Sequence, residues 1–257
     1  MLGWLIRGLR QGRITTRYPL GPEPAPHGFR GHVQVRDSNG GTPDLVGLCP
    51  TGAISVNAEG WVALDRGRCI LCGACVLAAP ERFAFASRYE TAARSRASLV
   101  VSDGDPFAGG PAPAPLGTVA PALKRSIHVR HIDCGSDGAE EWEIQALWNP
   151  YYDIQRLGFF LTAAPRHADI LLVTGGVTSA MREALERTWD VMPGPKALVA
   201  VGTDACSGGL AADVGSVAGG VDRILPVDVY VPGSPPAPIA ILHGLLLAVG
   251  LLDEAAA

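Results

Sequence analysis

The chain has 257 residues, a formal net charge of −4 and 47% hydrophobic residues. That length accommodates two domains of ordinary size. The acidic balance argues against nucleic-acid binding, which needs a basic face.

In chain order, Leu2, Leu5, Ile6 and Leu9 recur at helical spacing, with Arg7, Arg10 and Arg13 close by. The pattern predicts an amphipathic helix that docks against another subunit or rests on a membrane surface. The segment is short, rich in arginine and lacks a cleavage-like end, so it does not read as a secretory signal. A Pro-rich arm, Tyr18–Pro26, follows, and residues 1–30 together form a docking helix and arm. Residues 31–100 carry the closely spaced cysteines. Residues 101–124 contain the Gly/Pro/Ala-rich run from Asp103 to Pro121 and read as a semi-rigid linker.

Residues 125–257 change to α/β grammar. Strands are expected at Ser126–Ile132, Ala168–Thr174, Ala197–Val201 and Val227–Val231. Helices are expected at Glu140–Leu157, Ser179–Val191 and Pro236–Leu252, the last with Pro in its first turn. Strands alternating with helices imply a mostly parallel sheet covered on both faces. The apolar run Ile239–Leu252 is too short to span a bilayer and carries His243, so it reads as a buried helix.

Four of the six cysteines, Cys49, Cys69, Cys72 and Cys75, lie close together. Their C-x2-C-x2-C spacing is that of a metal or cluster site, not of a disulfide framework, and implies a reducing cytoplasmic compartment. Bacterial ferredoxins use C-x2-C-x2-C-x3-C-P, in which the last cysteine ligates the other cluster. Here Cys69, Cys72 and Cys75 are the close trio, and Ala79-Pro80 stands where the crossing cysteine belongs. Upstream the mirror image holds: Cys49-Pro50 is the crossing tail, while Asn39, Thr42 and Leu45 occupy the trio. Cys49, Cys69, Cys72 and Cys75 therefore make one complete set for a single 4Fe-4S cluster. Asn39, Thr42, Leu45 and Ala79 are the vacated ligands of a second. A zinc ion on the same four thiolates is the alternative.

The runs Gly8–Pro19, Phe29–Gly31 and Leu64–Gly73 resemble the ferredoxin-type subunit of formate hydrogenlyase and, more distantly, the related subunit of respiratory complex I. The resemblance spans about residues 1–100 and implies a ferredoxin-like α+β domain acting as an electron wire within a membrane-bound complex.

The runs His131–Ile144, Pro165–Gly175, Val177–Arg182 and Pro226–Pro236 are similar to the small subunit of energy-converting NiFe hydrogenases and its complex I 20 kDa counterpart. This second resemblance implies an α/β flavodoxin-like domain that docks a large catalytic subunit. It also implies a proximal cluster with four cysteine ligands. At the corresponding positions stand Asp137, Glu140, Asp204 and Ser234. Cys134 and Cys206 lie beside those positions, and Cys206 reaches one only if its loop shifts by two residues. Carboxylates and hydroxyls suit hard cations rather than clusters. The four residues read as a polar or partner-bound patch, a cation site or a proton-handling group. Arg166 and His167, within the Pro165–Gly175 run, read as loop-fixing or interface residues.

No dinucleotide fingerprint, P-loop or nucleophile elbow is present. Two functions follow. One is an iron–sulfur electron-transfer subunit of a hydrogenase- or complex I-related oxidoreductase, with one 4Fe-4S cluster. Its partners would be a large catalytic subunit and membrane-arm subunits, and its location the inner face of the cell membrane. The other is a structural subunit of a related complex that has lost hydrogenase chemistry. A stand-alone flavodoxin-like enzyme finds no cofactor loop to support it.

Overall fold

The computed structural model describes residues 3–37, 39–40, 43–103, 114–119 and 126–252. The chain begins with α1 (Gly3–Gln11), in which no residue is buried. Two small antiparallel sheets follow. β1 (His32–Val35) pairs with β4 (Phe83–Ala86), while β3 (Val62–Asp65) lies between β2 (Ile54–Val56) and β5 (Val100–Val101). Between these strands sit two short helices, α2 (Pro43–Val46) and α3 (Ala74–Ala78). Val33, Ile54, Val62, Leu64, Phe83 and Val101 close a core beneath both sheets.

The second half is a five-stranded sheet. β6 (Ile127–Asp133) sits between β7 (Phe159–Leu161) and β8 (Ile170–Thr174), and β9 (Ala197–Val201) and β10 (Val229–Val231) extend the sheet beyond β8. Every pair is parallel. Taken in chain order, the strands lie 2-1-3-4-5, the doubly wound flavodoxin-like order.

All five residues of β8 and of β9 are buried, as a strand covered on both faces requires. Alternation sends Ile170, Leu172, Val199 and Val201 to one face, against α5 (Ala139–Ala146) and α8 (Pro238–Val249). Leu171, Val173, Leu198 and Ala200 face the other way, against α6 (Ser179–Val191) and α7 (Thr203–Ser207). Each residue of α8 is buried, so the run Ile239–Val249 is spent on this core. Among the described residues no helix is long and apolar enough to cross a membrane.

The two halves are joined directly. Ala93 and Tyr230 exchange both backbone hydrogen bonds, at 2.9 and 2.7 Å. Tyr18 and Ala92 enter the core on the α8 side, and Leu99 enters the core on the other face. Thr16 N–H donates to the Tyr151 carbonyl at 2.9 Å, fastening the N-terminal arm to the loop after α5.

Two expectations change. The helix expected over Glu140–Leu157 ends at Ala146. Pro150 cannot continue it, and the Asn149 carboxamide accepts the Tyr151 and Tyr152 N–H groups, turning the chain toward β7. The expected linker lies largely outside the described residues. Within it, Leu116–Val119 forms a short helix, α4, whose Leu116 is buried in the α8 core.

Candidate metal centre

The thiols are set out by the loops flanking α2 and α3. Cys49 follows α2 in a tight turn. Its Sγ accepts the Ala53 N–H at 3.2 Å and lies 3.4 Å from Thr51 Oγ1. Cys69 ends a turn in which its N–H donates to the Arg66 carbonyl. The backbone N–H of Leu71 favours the Cys69 thiolate, and that of Val76 favours the Cys75 thiolate. Donors aimed at sulfur stabilise a thiolate and tune any cluster bound to it.

The loop achieves this by unusual backbone. Leu71 has φ +56°, and Gly73 has φ +81°. A Cβ on Gly73 would meet the Phe85 ring at 3.1 Å, so the trio loop packs on β4 without a side chain there.

Burial pushes the Cys69 thiol up to about 12; the Leu71 N–H opposes this, and the charges of Cys75, Cys49 and Cys72 add to it. Cys75 is raised by burial as well, again with contributions from Cys49 and Cys72. All four thiols thus share one electrostatic neighbourhood, although they come from two separate loops. Arg66 is buried beside it: burial lowers the guanidinium to about 10, and the Cys69 charge raises it.

Among the described residues, no group of three or more His, Cys, Asp or Glu side chains is arranged to hold a metal ion. The candidate donors are four soft sulfurs, those of Cys49, Cys69, Cys72 and Cys75. That chemistry fits an iron–sulfur cluster.

The positions read as a second, emptied ligand set are filled. Leu45 is half-buried, Ala79 is buried, and both pack on the Val33–Phe83 core. Asn39 is exposed, and its carbonyl accepts Arg82 Nη1, while Arg82 Nη2 donates to the Gly40 carbonyl at 3.1 Å. Thr42 lies outside the described residues.

The second emptied set lies at the carboxyl ends of the parallel strands, where doubly wound sheets bind ligands. Asp137 and Glu140 follow β6, Asp204 follows β9, and Ser234 follows β10. Asp137, Glu140 and Asp204 act on one another through their charges. Ser234 is exposed, next to Gly233, whose carbonyl accepts the Thr203 N–H at 2.8 Å. Cys134 and Cys206 do not face this place. Both lie in the core on the α6 side, and burial raises each thiol to about 12. The shift that would bring Cys206 to a ligand position is opposed by its contact with the Ala200 carbonyl, 3.9 Å from Sγ.

Thr203 carries no signal in the sequence, yet it bridges the two regions: its hydroxyl is 3.0 Å from the Cys69 carbonyl. Leu71 and Arg66 were equally silent, since nothing in a leucine announces a left-handed backbone. Arg166 and His167 sit in a short turn before β8, neither of them buried.

Residues 137–248 match the family described as NADH ubiquinone oxidoreductase, 20 Kd subunit. The chain is 44% identical over 132 residues to the probable membrane-bound hydrogenase subunit mbhJ of Pyrococcus furiosus, covering 51% of this chain and 79% of that protein. The chain belongs to the 20 Kd subunit family. This 20 Kd-family chain is also 47% identical over 132 residues to formate hydrogenlyase subunit 7 of Escherichia coli, of whose length it spans about half (52%). Its residues 62–105 match a second family, described as 4Fe-4S single cluster domain, which takes in Cys69, Cys72 and Cys75 and leaves out Cys49. Among solved structures, one of the membrane-bound sulfane sulfur reductase, an archaeal respiratory membrane complex, is similar at 29% identity and a TM-score of 0.44, covering 52% of this chain and 76% of that one.

Proposed function

We propose that this chain is an iron–sulfur electron-transfer subunit of a membrane-bound, hydrogenase- or complex I-related oxidoreductase. Residues 31–100 form its ferredoxin-like domain, residues 101–124 a linker and residues 125–257 the 20 Kd-type domain. Cys49, Cys69, Cys72 and Cys75 hold one 4Fe-4S cluster, which supplies one-electron chemistry when bound. The observation that carries this reading is the shared electrostatic neighbourhood of four thiols from two loops, with the Ala53 N–H donating to the Cys49 sulfur. A cubane spreads its thiolates over separate irons, so its ligands need not converge as those of one zinc do, at about 2.3 Å from the ion.

The protein's own residues shape that site. The apolar core beneath it limits water, Arg66 places a cation near Cys69, and the N–H donors offset thiolate charge. A large catalytic subunit docks on the 20 Kd-type domain, and membrane-arm subunits hold the assembly on the inner face of the cell membrane. The exposed apolar residues of α1, Trp4, Leu5, Ile6 and Leu9, serve as a docking surface within it.

A structural subunit is the second reading. It is favoured by the thiol-free loops at the strand ends, where Asp137, Glu140, Asp204 and Ser234 stand and both nearby cysteines turn into the core. The test is iron and sulfide per chain, with EPR of the reduced protein purified without oxygen. One cluster's worth of each and one 4Fe-4S signal support the proposal. Two clusters, or none, reject it.

A further inference from the structure

The loops after β6 and β9 meet at a buried acid. Glu140 is only 3% exposed, and its Oε2 has no hydrogen-bond partner among the described residues. The other side of the carboxyl lies over Gly202, where an added Cβ would fall 2.5 Å from Oε1 and 2.7 Å from Cγ.

An ionised carboxylate so placed is strongly disfavoured unless a donor or a cation answers it. The Glu140 backbone N–H answers the carboxylate in part, while the charges that act on it, those of Asp204, Asp137 and Glu141 in falling order, all disfavour the anion. Glu141 is itself engaged, with His131 at 3.5 Å and with the hydroxyls of Thr174 and Ser136. α8 packs on the same helix and contributes one titratable group, His243, and the charge acting on that ring is Glu90. The turn after β9 brings Gly202, Thr203 and Asp204, of which only the last is ionisable, and Cys206 of α7 lies in the core on the other face. Among the described residues, these acids are not arranged to hold a metal ion. A proton is the counter-charge left to them.

We propose that Glu140, with Asp204 and Asp137, forms a proton-binding site in the crevice at the carboxyl ends of β6 and β9. The proton binds at the Glu140 carboxylate and returns to solvent by the same three acids. Their exposure is graded for that: Glu140 is buried, Asp204 half-buried and Asp137 exposed. No electron moves and no covalent bond to carbon changes. Burial first, and the neighbouring charges after it, raise this carboxyl to about 7, where the proton exchanges at neutral pH. The site needs no cluster. It does lie beside the thiol loop, because Thr203, the residue after Gly202, is bonded to the Cys69 carbonyl.

Infrared titration of the full chain tests this. A carboxylic-acid C=O band should fade with a midpoint near pH 7, and it should be missing from Glu140→Gln. Asp204→Asn should move the midpoint to lower pH, since it removes a negative neighbour. Asp137→Asn, a change at an exposed position that spares the fold, should move it the same way by a smaller amount. Absence of any carboxylic-acid band titrating between about pH 6 and 8 overturns the proposal. So does an unchanged band in folded Glu140→Gln, or an unmoved midpoint in Asp137→Asn. Iron content measured on the same samples reports separately on the cluster.

Discussion

The hydroxyl of Thr203 lies 3.0 Å from the Cys69 carbonyl and 3.1 Å from that of Gly233. It is fully buried, and it has one proton to give. The Gly233 carbonyl already accepts the Thr203 backbone N–H, so the hydroxyl is free to satisfy Cys69. This single bond ties the thiol-bearing loop to the end of β9. Thr203→Val keeps the shape and removes the donor. It should destabilise the chain by about 1–3 kcal/mol, the cost of leaving a partly buried carbonyl unmatched. Thr203→Ser should retain most of the stability. Denaturant unfolding of the two variants measures the difference.

Gly73→Ala should be costly for two separate reasons. The residue sits at φ +81°, and an added methyl meets the Phe85 ring at 3.1 Å. A loss of about 1–3 kcal/mol is expected, with faster release of iron under a chelator. Iron release that matches the unmodified chain would show that this turn does not govern the thiol loop.

Two histidines make the fold acid-sensitive. Burial, aided by the Arg66 charge, lowers His32 to about 3, and burial lowers His243 to about 4. The unfolded chain protonates both near 6.5, while the folded chain does not. Their contribution is therefore complete above about pH 6.5 and is lost as pH falls toward the folded values. The slope reaches about 1.4 kcal/mol per pH unit for each ring. His243→Leu should flatten the acid limb by one ring's share. Unfolding free energies measured across that range check it.

Helix α1 buries nothing of its own, and Trp4 and Leu9 are each 76% exposed. Replacing both with Ser should change the stability of the isolated chain by no more than about 0.5 kcal/mol. With α1 serving as the proposed docking surface, the same change should shift the chain from the membrane fraction to the soluble fraction. Retention of the double variant in the membrane fraction would remove α1 as a docking element.

Much of the α/β half was legible because its strands and helices are long and strongly patterned. The expected Ala197–Val201 and Ser179–Val191 coincide with β9 and α6. Strand β7 was not foreseen: its apolar run, Phe159-Phe160-Leu161, has only three residues, too few to show a strand period. The short strands of the first half likewise carry too few residues for a period to show. Spacing alone brought the thiols forward as a set. It could not reveal the left-handed Leu71, the buried Arg66 or the Thr203 bridge, which depend on how separate loops meet. The acids at positions 137, 140 and 204 were expected as a group through resemblance. That the middle one is buried, with an unanswered oxygen, required the packing of Gly202 beneath it.

The most direct measurement compares iron, sulfide and the EPR signal of the reduced full chain with those of Cys49→Ala and Cys134→Ala. Cys49 should be indispensable as the fourth ligand, so its variant should lose the 4Fe-4S signal. Cys134 is buried in the core away from the thiol loops, so its variant should keep the signal. A Cys49→Ala chain that holds the same cluster in the same amount would contradict the assignment of the two loops to one site.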